Sequence, residues 1–209
     1  MIQPSVYSFP QILAAALELV REKGWEGVSA RAIAKKLGSS TMPIYSHVSS
    51  IEELEEELRE KARSLMKEYQ RRRYTEHPLL NLAFGYVTFA RDEKNLFRFL
   101  YLEKPAEVKT EHLTGMKETF FADFGEDSPQ GTALMKMQES GLEELIQHTW
   151  IFTHGLAMLV NSGSFGCNSN ETILNFLMNA GEAFYLWGIG EGRDALQVED
   201  LQEEPGGLI

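Results

Sequence analysis

A run of residues between positions 39 and 47 carries side chains that could contact a DNA duplex. Hydroxyl and imidazole groups can bond to phosphate oxygens, and methionine or proline can lie against the methyl group of thymine. These contacts require a helix whose first residues are small or polar enough to reach base edges in the major groove. The side chains of the run that are suited to the groove and its phosphates belong to Ser39, Ser40, Thr41, Met42, Pro43, Tyr45, Ser46 and His47.

The sequence around this run predicts two short helices and a tight turn. One helix is predicted from Ala30 to Leu37, Gly38 ends it, and the next is predicted from Thr41 to about His47. Such a pair is typical of a helix-turn-helix, although the same spacing also fits a helical hairpin inside a larger bundle. The small apolar core that would fix the angle between the two helices consists of Ile33, Ala34, Leu37, Ile44 and Val48.

A longer helix is predicted on each side of this pair. The first begins at Ser8, which can form a capping box with Gln11, and it ends at Gly24. The second begins at Ser50, which can form a capping box with Glu53, and it continues to about position 71. No linker rich in Gly, Pro or Ser follows, so the domain boundary is predicted within this second helix.

The predicted division is a helix-turn-helix DNA-binding domain at 1–52 and a helical effector-binding and dimerisation domain at 53–209. No stretch of useful length alternates apolar and polar residues, so the predicted fold class is all-α. The helices predicted in the second part lie at 78–91, 94–102, 106–124, 141–161 and 171–187, and 125–140 is left unassigned.

The last two predicted helices are apolar on nearly every face, so each must be covered on two sides. In a domain of this size one cover can be a second copy of the chain, which predicts a homodimer that pairs through these helices. Aromatic residues are concentrated in the same part of the chain, and a small-molecule pocket is a hypothesis that competes with an ordinary packed core. The pocket residues under this hypothesis are Phe89, Phe97, Tyr101, Met116, Phe120, Trp150 and His154.

The charge of the chain is uneven. The net charge is −11, which by itself argues against a nucleic-acid partner. Residues 1–50, however, hold five Lys or Arg against three Glu, a net of +2, so the acid lies mostly outside the segment assigned to DNA. One cysteine, Cys167, excludes an internal disulfide, and together with the lack of a secretory signal it predicts a cytoplasmic protein. Residues 145–170 carry no Asp, Glu, Lys or Arg, but other polar residues interrupt the stretch, so a buried helix is predicted there rather than a membrane span.

No motif of the sequence indicates catalysis, and the protein is not expected to be an enzyme. Glu144 and His148 are four residues apart on one predicted helix and could begin a metal site, but no third ligand is identifiable. A solvated or ion-paired face is the commoner origin of such a pair. No metal and no cofactor are therefore predicted.

The first part of the chain resembles the tetracycline-repressor (TetR) family of regulators. The resemblance runs through Ser29-x-Arg31-x-Ile33-Ala34-x-x-Leu37-Gly38 and Ile44-Tyr45-x-His47-Val48, then Leu54, and it includes the preceding Gly-Trp-Glu-Gly-Val-Ser. It implies a dimer that binds a palindromic operator on double-stranded DNA, usually as a repressor released by a small-molecule effector. By the same resemblance, Arg31 contacts the groove edge, residues 40–43 read base edges, and Tyr45 and His47 hold phosphates.

The sequence departs from the family just after this region. In the family a lysine commonly follows the recognition helix. Here the corresponding positions hold Ser49, Ser50 and Ile51, and a run of glutamates comes next. This departure predicts weaker DNA binding with a shallower salt dependence. It also motivates an alternative, a helical dimeric ligand- or protein-binding module that has lost DNA binding. The glutamates of the run, most of which are expected to point away from the duplex, are Glu52, Glu53, Glu55, Glu56, Glu57 and Glu60.

The second part of the chain resembles one subclass of TetR C-terminal domains. The resemblance lies in a Trp-x-x-x-His-Gly signature that begins at Trp150 and in a Tyr-Val-Thr-Phe-Ala segment that begins at Tyr86. It implies pairing through the last two helices and a ligand held among the central ones.

Overall fold

The computed structural model describes residues 7–48, 50–103, 139–164, 166 and 168–188. These ranges contain eight α-helices and no strand, so the all-α prediction is confirmed for the described chain. None of the described helices combines the length and the hydropathy needed to cross a bilayer. The helices are α1 (Phe9–Lys23), α2 (Ala30–Leu37), α3 (Met42–Tyr45), α4 (Ile51–Gln70), α5 (Pro78–Asp92), α6 (Lys94–Tyr101), α7 (Glu139–Ser162) and α8 (Asn170–Gly188).

The helix ends of the N-terminal part follow the predicted capping residues. The backbone N–H of Ser8 donates to the side-chain oxygen of Gln11 at 2.9 Å, which is one half of the predicted capping box. The Ser50 hydroxyl accepts from the Glu53 N–H at 3.2 Å and starts α4. Gly38 ends α2 with φ +66°, a left-handed conformation in which any residue with a Cβ is strained. Local hydrogen bonding therefore fixes where these helices begin and end.

The third helix is shorter than predicted. The expected helix ran from Thr41 to about His47, whereas α3 is a single turn, Met42–Tyr45. The Ser46 hydroxyl donates to the Pro43 carbonyl at 2.7 Å, and a side chain bound to the backbone in this way competes with continued helix. The other described helices match their predicted bounds to within two residues. The helix predicted at 106–124 lies outside the described residues.

Both parts of the described chain share one apolar core, in which α1 packs against α4 and α6. At the edge of this contact Arg21 is paired with Glu93 at 2.8 Å, and the Asn95 side chain donates to the Arg21 carbonyl at 2.8 Å. The end of α1, which precedes the helix-turn-helix, is thus bonded directly to the start of α6.

Gly85 of α5 lies directly against the backbone of α4 at Tyr69 and Gln70. A Cβ at this position would lie 2.4 Å from the carbonyl oxygen of Tyr69, so the neighbouring backbone would have to move. We expect Gly85→Ala to lower the free energy of unfolding by about 1–3 kcal/mol, as other overpacked sites do, in urea titrations. Ser64→Ala is the control, because Ser64 is exposed on α4 and alanine favours helix. An equal loss of stability in both variants would contradict the close approach.

Candidate nucleic-acid interface and effector cluster

The residues 39–48, called the recognition segment here, are held by a small buried core. Ile44 and Val48 are buried, with exposed fractions of 0% and 3%. Ile33 and Ala34 of α2 are buried as well. The single turn of α3 is therefore anchored through one face only. Its opposite face is free for contact with another molecule.

The outward face of the recognition segment carries most of the residues predicted to bind DNA. Met42 is 78% exposed and Tyr45 is 57% exposed, so two large side chains stand in solvent on a four-residue helix. Arg31, Ser40 and His47 are also exposed. The remaining predicted residues, which are half-buried, are Ser39, Thr41 and Pro43.

His47 takes part in a contact that the sequence did not reveal. Its Nε2 lies 2.8 Å from the carbonyl oxygen of Tyr7, so this nitrogen carries the proton and donates. The Tyr7 hydroxyl in turn donates to the carbonyl of Leu37, at the end of α2. His47 is therefore exposed and also joins the recognition segment to Tyr7, which lies before α1. The sequence feature that could have indicated this contact is Tyr7, an aromatic residue directly before the N-cap residue Ser8.

The basic residues of the N-terminal part differ in how far they are neutralised. Lys36 lies 3.0 Å from Glu18 and 2.9 Å from Glu22, and the hydrogen bonds that it donates to Glu22 and Glu18 raise the pKa of Lys36. Within the described ranges, Arg31 and Lys35 have no ion pair and are exposed. Arg31 and Lys35 are therefore the basic residues without an ion pair that lie nearest in sequence to the recognition segment.

Three of the six glutamates at the start of α4 are paired within the same helix. Arg63 is bound to Glu60 and, at 3.2 Å, to Glu56 on the surface. Glu55 is buried and accepts two hydrogen bonds from Arg59, at 2.9 and 3.2 Å. The run is therefore only partly a solvated acidic face.

The buried Arg59 joins α4 to the end of α6. It donates to the carbonyl of Phe99 at 2.6 Å, and its guanidinium lies 4.4 Å from the centre of the Phe99 ring. A cation at a helix C-terminus is favoured by the helix dipole. The Phe99 ring also stacks with the Trp25 ring, at 5.2 Å between centroids, in the turn after α1. Arg59 and its partners therefore lie where α4, α6 and the turn after α1 meet.

A second set of side chains, called the aromatic cluster here, surrounds His154 of α7. The ring of Trp150 stacks parallel to the imidazole at 5.3 Å between centroids, with 7° between the planes. Burial lowers the pKa of His154, so the imidazole is neutral at neutral pH. The other rings, within 6.2 Å of the imidazole between centroids, are those of Tyr86, Phe97 and Tyr101.

Polar atoms connect members of the aromatic cluster. The Tyr86 hydroxyl lies 2.9 Å from His154 Nδ1, and the Tyr101 hydroxyl donates to the sulfur of Met66 on α4 at 3.3 Å. Burial raises the pKa of Tyr86 far above its ordinary value, so this hydroxyl keeps its proton. The cluster thus combines apolar walls with a few polar groups, as ligand sites do.

The aromatic cluster contains four of the seven residues predicted to bind a ligand, namely Phe97, Tyr101, Trp150 and His154. Phe89 lies elsewhere, with its ring edge-on to Tyr69 at 5.5 Å. Met116 and Phe120 lie outside the described residues. Tyr86 was not predicted, although it opens the Tyr-Val-Thr-Phe-Ala segment on which the resemblance of the second part rests.

No described side chain joins Glu144 and His148 as a third metal ligand. The His148 ring lies 4.8 Å from Trp187 and 5.6 Å from Phe184, between centroids, so α8 covers it with aromatic residues. Among the residues that the structure describes, no group of three or more metal-ligating side chains comes together.

The chain is similar to one protein-family model and to solved structures. Residues 12–58 match the sequence model of the family described as bacterial regulatory proteins, tetR family. A structure described as a TetR-family transcriptional regulator from Vibrio parahaemolyticus is 22% identical, covers 84% of this chain and 95% of its own, and superposes with a TM-score of 0.50. One described likewise from Mesorhizobium loti is 18% identical, covers 84% and 93%, and has a TM-score of 0.48. A search of the curated proteins found no match.

The matched segment begins at Ile12 in α1 and ends at Leu58 in α4, so it contains α2, α3 and the recognition segment. At 22% identity the likeness to the Vibrio structure concerns the fold alone, and it extends over the second part of the chain as well. Residues 12–58 therefore form a tetR-family N-terminal domain, in a chain whose described residues contain helices and no strand.

Proposed function

We propose that the protein is a sequence-specific DNA-binding transcriptional regulator. The observation that carries the proposal is the outward face of α3, where Met42 and Tyr45 are exposed while Ile44 anchors the helix from behind. Two large exposed side chains on so short a helix give it a surface that another molecule can cover. The thymine methyls and sugar–phosphate edges of a major groove are suitable partners.

The regulator acts as a homodimer on a palindromic operator. The two recognition segments then lie about 34–36 Å apart, one turn of DNA. The division at 1–52 and 53–209 falls near the start of α4, which belongs to both parts and couples them. The second part is of the Trp-x-x-x-His-Gly type, and the protein works in the cytoplasm.

The regulator is a repressor, and a small apolar or aromatic ligand releases it from the operator. The aromatic cluster around His154 is the proposed ligand site, because a half-buried neutral imidazole there is surrounded by four rings. A ligand that binds one spacing of the recognition segments better than the other shifts the equilibrium between them.

Selection of bound sequences from random double-stranded DNA tests the proposal. An enriched inverted repeat with half-sites one helical turn apart supports it. The alternative, a helical dimeric module that has lost DNA binding, predicts no enriched sequence. Tyr45→Ala is the variant to compare, because Tyr45 is exposed and its loss leaves the core around Ile44 intact.

The affinity for the selected operator is expected to depend only moderately on salt. Two of the five basic residues in the N-terminal part are held in ion pairs, and lysine is missing after the recognition segment. The slope of log K against log salt should therefore be well short of −10, a value that would require about eleven neutralised phosphates. Ser49→Lys is the matched variant, and it should steepen the slope by roughly 2 for a dimer. A slope near −10 in the unmodified protein contradicts this prediction.

A further inference from the structure

The recognition segment lacks the side chains that usually read base edges through hydrogen bonds. Residues 39–48 contain no Arg or Lys, which bind the two acceptors of guanine, and no Asn or Gln, which bind adenine. They also contain no Asp or Glu, which accept from the amino group of cytosine. The polar side chains of the segment carry hydroxyls and one imidazole, so base pairs must be distinguished by these groups or by apolar contact.

Polar side chains at both ends of the segment donate their protons within the protein. The hydroxyl of Ser39 donates to the carbonyl of the next residue at 2.9 Å, and that of Ser46 donates to the Pro43 carbonyl at 2.7 Å. Nε2 of His47 donates to the Tyr7 carbonyl at 2.8 Å, because a carbonyl oxygen can only accept. A serine hydroxyl has one proton, so while these bonds hold, the two serine oxygens can accept from a base but cannot donate to it.

Met42 provides the apolar surface of the segment. Of the large apolar side chains in the described ranges it is the most exposed, at 78%, and it stands at the first position of α3. Ile44, two residues later, is fully buried and holds the helix from behind. A methionine side chain is flexible and adapts to irregular apolar surfaces. The apolar group that a base pair presents in the major groove is the C5 methyl of thymine.

We infer that Met42 determines specificity by contact with the C5 methyl group of thymine, and that each half-site therefore holds A·T pairs where α3 lies. The inference rests on the proposed function, because the recognition segment must lie in a major groove. Guanine presents only acceptors there, which the inward-bonded hydroxyls of Ser39 and Ser46 cannot satisfy. An A·T pair presents a methyl group for Met42 and an amino donor for a serine oxygen. Arg31 lies on α2, outside the segment, and is not required for this preference.

Replacing thymine with deoxyuridine tests the contact, because it removes the methyl group and keeps the hydrogen-bonding groups of the base pair. The selected inverted repeat is made with this change at one pair of symmetry-related thymines at a time, and fluorescence anisotropy measures Kd. At one such pair we expect the change to weaken binding about fourfold for each half-site, or roughly fifteenfold for both, as for the loss of one buried methyl in each. No effect at any thymine, or selected half-sites without thymine, overturns the inference.

Met42→Ala shows which side chain reads the methyl group. The buried Ile44 still anchors α3 and alanine favours helix, so the fold should be kept, as circular dichroism can verify. The Kd values of this variant for the thymine and deoxyuridine duplexes should differ by less than about twofold. Lys35→Ala is the matched control on the exposed surface of α2, because a lost positive charge weakens binding to both duplexes and leaves their ratio unchanged. An undiminished ratio in folded Met42→Ala overturns the inference.

A methyl group added to a different base tests the same contact in the opposite direction. The identified T·A pair is replaced with C·G, and the cytosine is then replaced with 5-methylcytosine, which returns the methyl group without returning adenine. We expect 5-methylcytosine to recover about fourfold in affinity for each half-site with the unmodified protein, and nothing with Met42→Ala. Equal binding of the two cytosine duplexes by the unmodified protein overturns the inference.

DNA selection separates this inference from the proposed function. A selection that enriches no sequence overturns both the regulator proposal and the reading of thymine by Met42. If an inverted repeat is enriched and its thymines can be replaced with deoxyuridine without loss of affinity, the inference fails and the regulator proposal stands.

Discussion

Replacing Arg59 with methionine is expected to lower the free energy of unfolding by about 3–5 kcal/mol. The arginine is buried, binds both the buried Glu55 and the Phe99 carbonyl, and covers the Phe99 ring. Methionine fills much of the space but cannot donate hydrogen bonds to the buried Glu55 carboxylate. Urea titrations at several protein concentrations separate this loss from any change in subunit association.

A double substitution shows whether the loss comes from the buried carboxylate that no longer binds Arg59. Glu55→Leu with Arg59→Met removes both charges, and we expect it to recover most of the stability lost in Arg59→Met alone. Arg63→Met is the surface control, because Arg63 is paired with Glu56 and Glu60 in solvent and such pairs contribute about 0–1 kcal/mol. Equal losses for Arg59→Met and Arg63→Met would show that the buried pair does not stabilise the fold.

The helix-turn-helix could be predicted from the sequence because its determinants are local. Ser8, Ser50 and Gly38 act through hydrogen bonds and backbone angles within a few residues, and the structure has helix ends at each of them. The same holds for Ile44, whose spacing from Ile33 and Ala34 is fixed by two short helices. Periodicity and capping are sufficient where the partners are near in sequence.

The contacts that could not be predicted join residues far apart in sequence. In the sequence, Glu55 is one of six similar glutamates. It is buried with Arg59, and Arg59 in turn binds Phe99, which lies 40 residues further along the chain. Tyr86 and Phe89 lie on one predicted helix, yet Tyr86 faces His154 and Phe89 faces Tyr69. Their roles depend on which neighbouring helix covers each side of α5. Sequence periodicity marks a buried face but does not identify its partner.

The last two helices are expected to form the dimer contact. Of the eight large apolar side chains that are exposed in the described chain, five lie on these helices. Ile151 and Leu159 are about two turns apart on α7, and Gly155 between them leaves open space. The other three, on α8, are Phe176, Met178 and Leu186. A second copy that packs against α7 and α8 removes apolar area of these side chains from water.

Ile151→Glu with Leu159→Glu should therefore convert the dimer into folded monomers. Each dimer would have to bury four unpaired carboxylates, and each such desolvation costs more than the lost side-chain contact. Sedimentation equilibrium measures the change in mass, and circular dichroism shows that the helices persist. Leu102→Glu is the matched control, since Leu102 is an equally exposed leucine at the end of α6, outside α7 and α8.

The same pair of substitutions should weaken operator binding by at least about a hundredfold, although it lies far along the chain from the recognition segment. A monomer binds only one half-site, so the second contact is no longer held close by the first. Fluorescence anisotropy with the selected inverted repeat measures this loss, and a single half-site should show little difference between the variant and the unmodified protein. A variant that remains dimeric would place the interface elsewhere. A folded monomer with full operator affinity would show that the two recognition segments act independently.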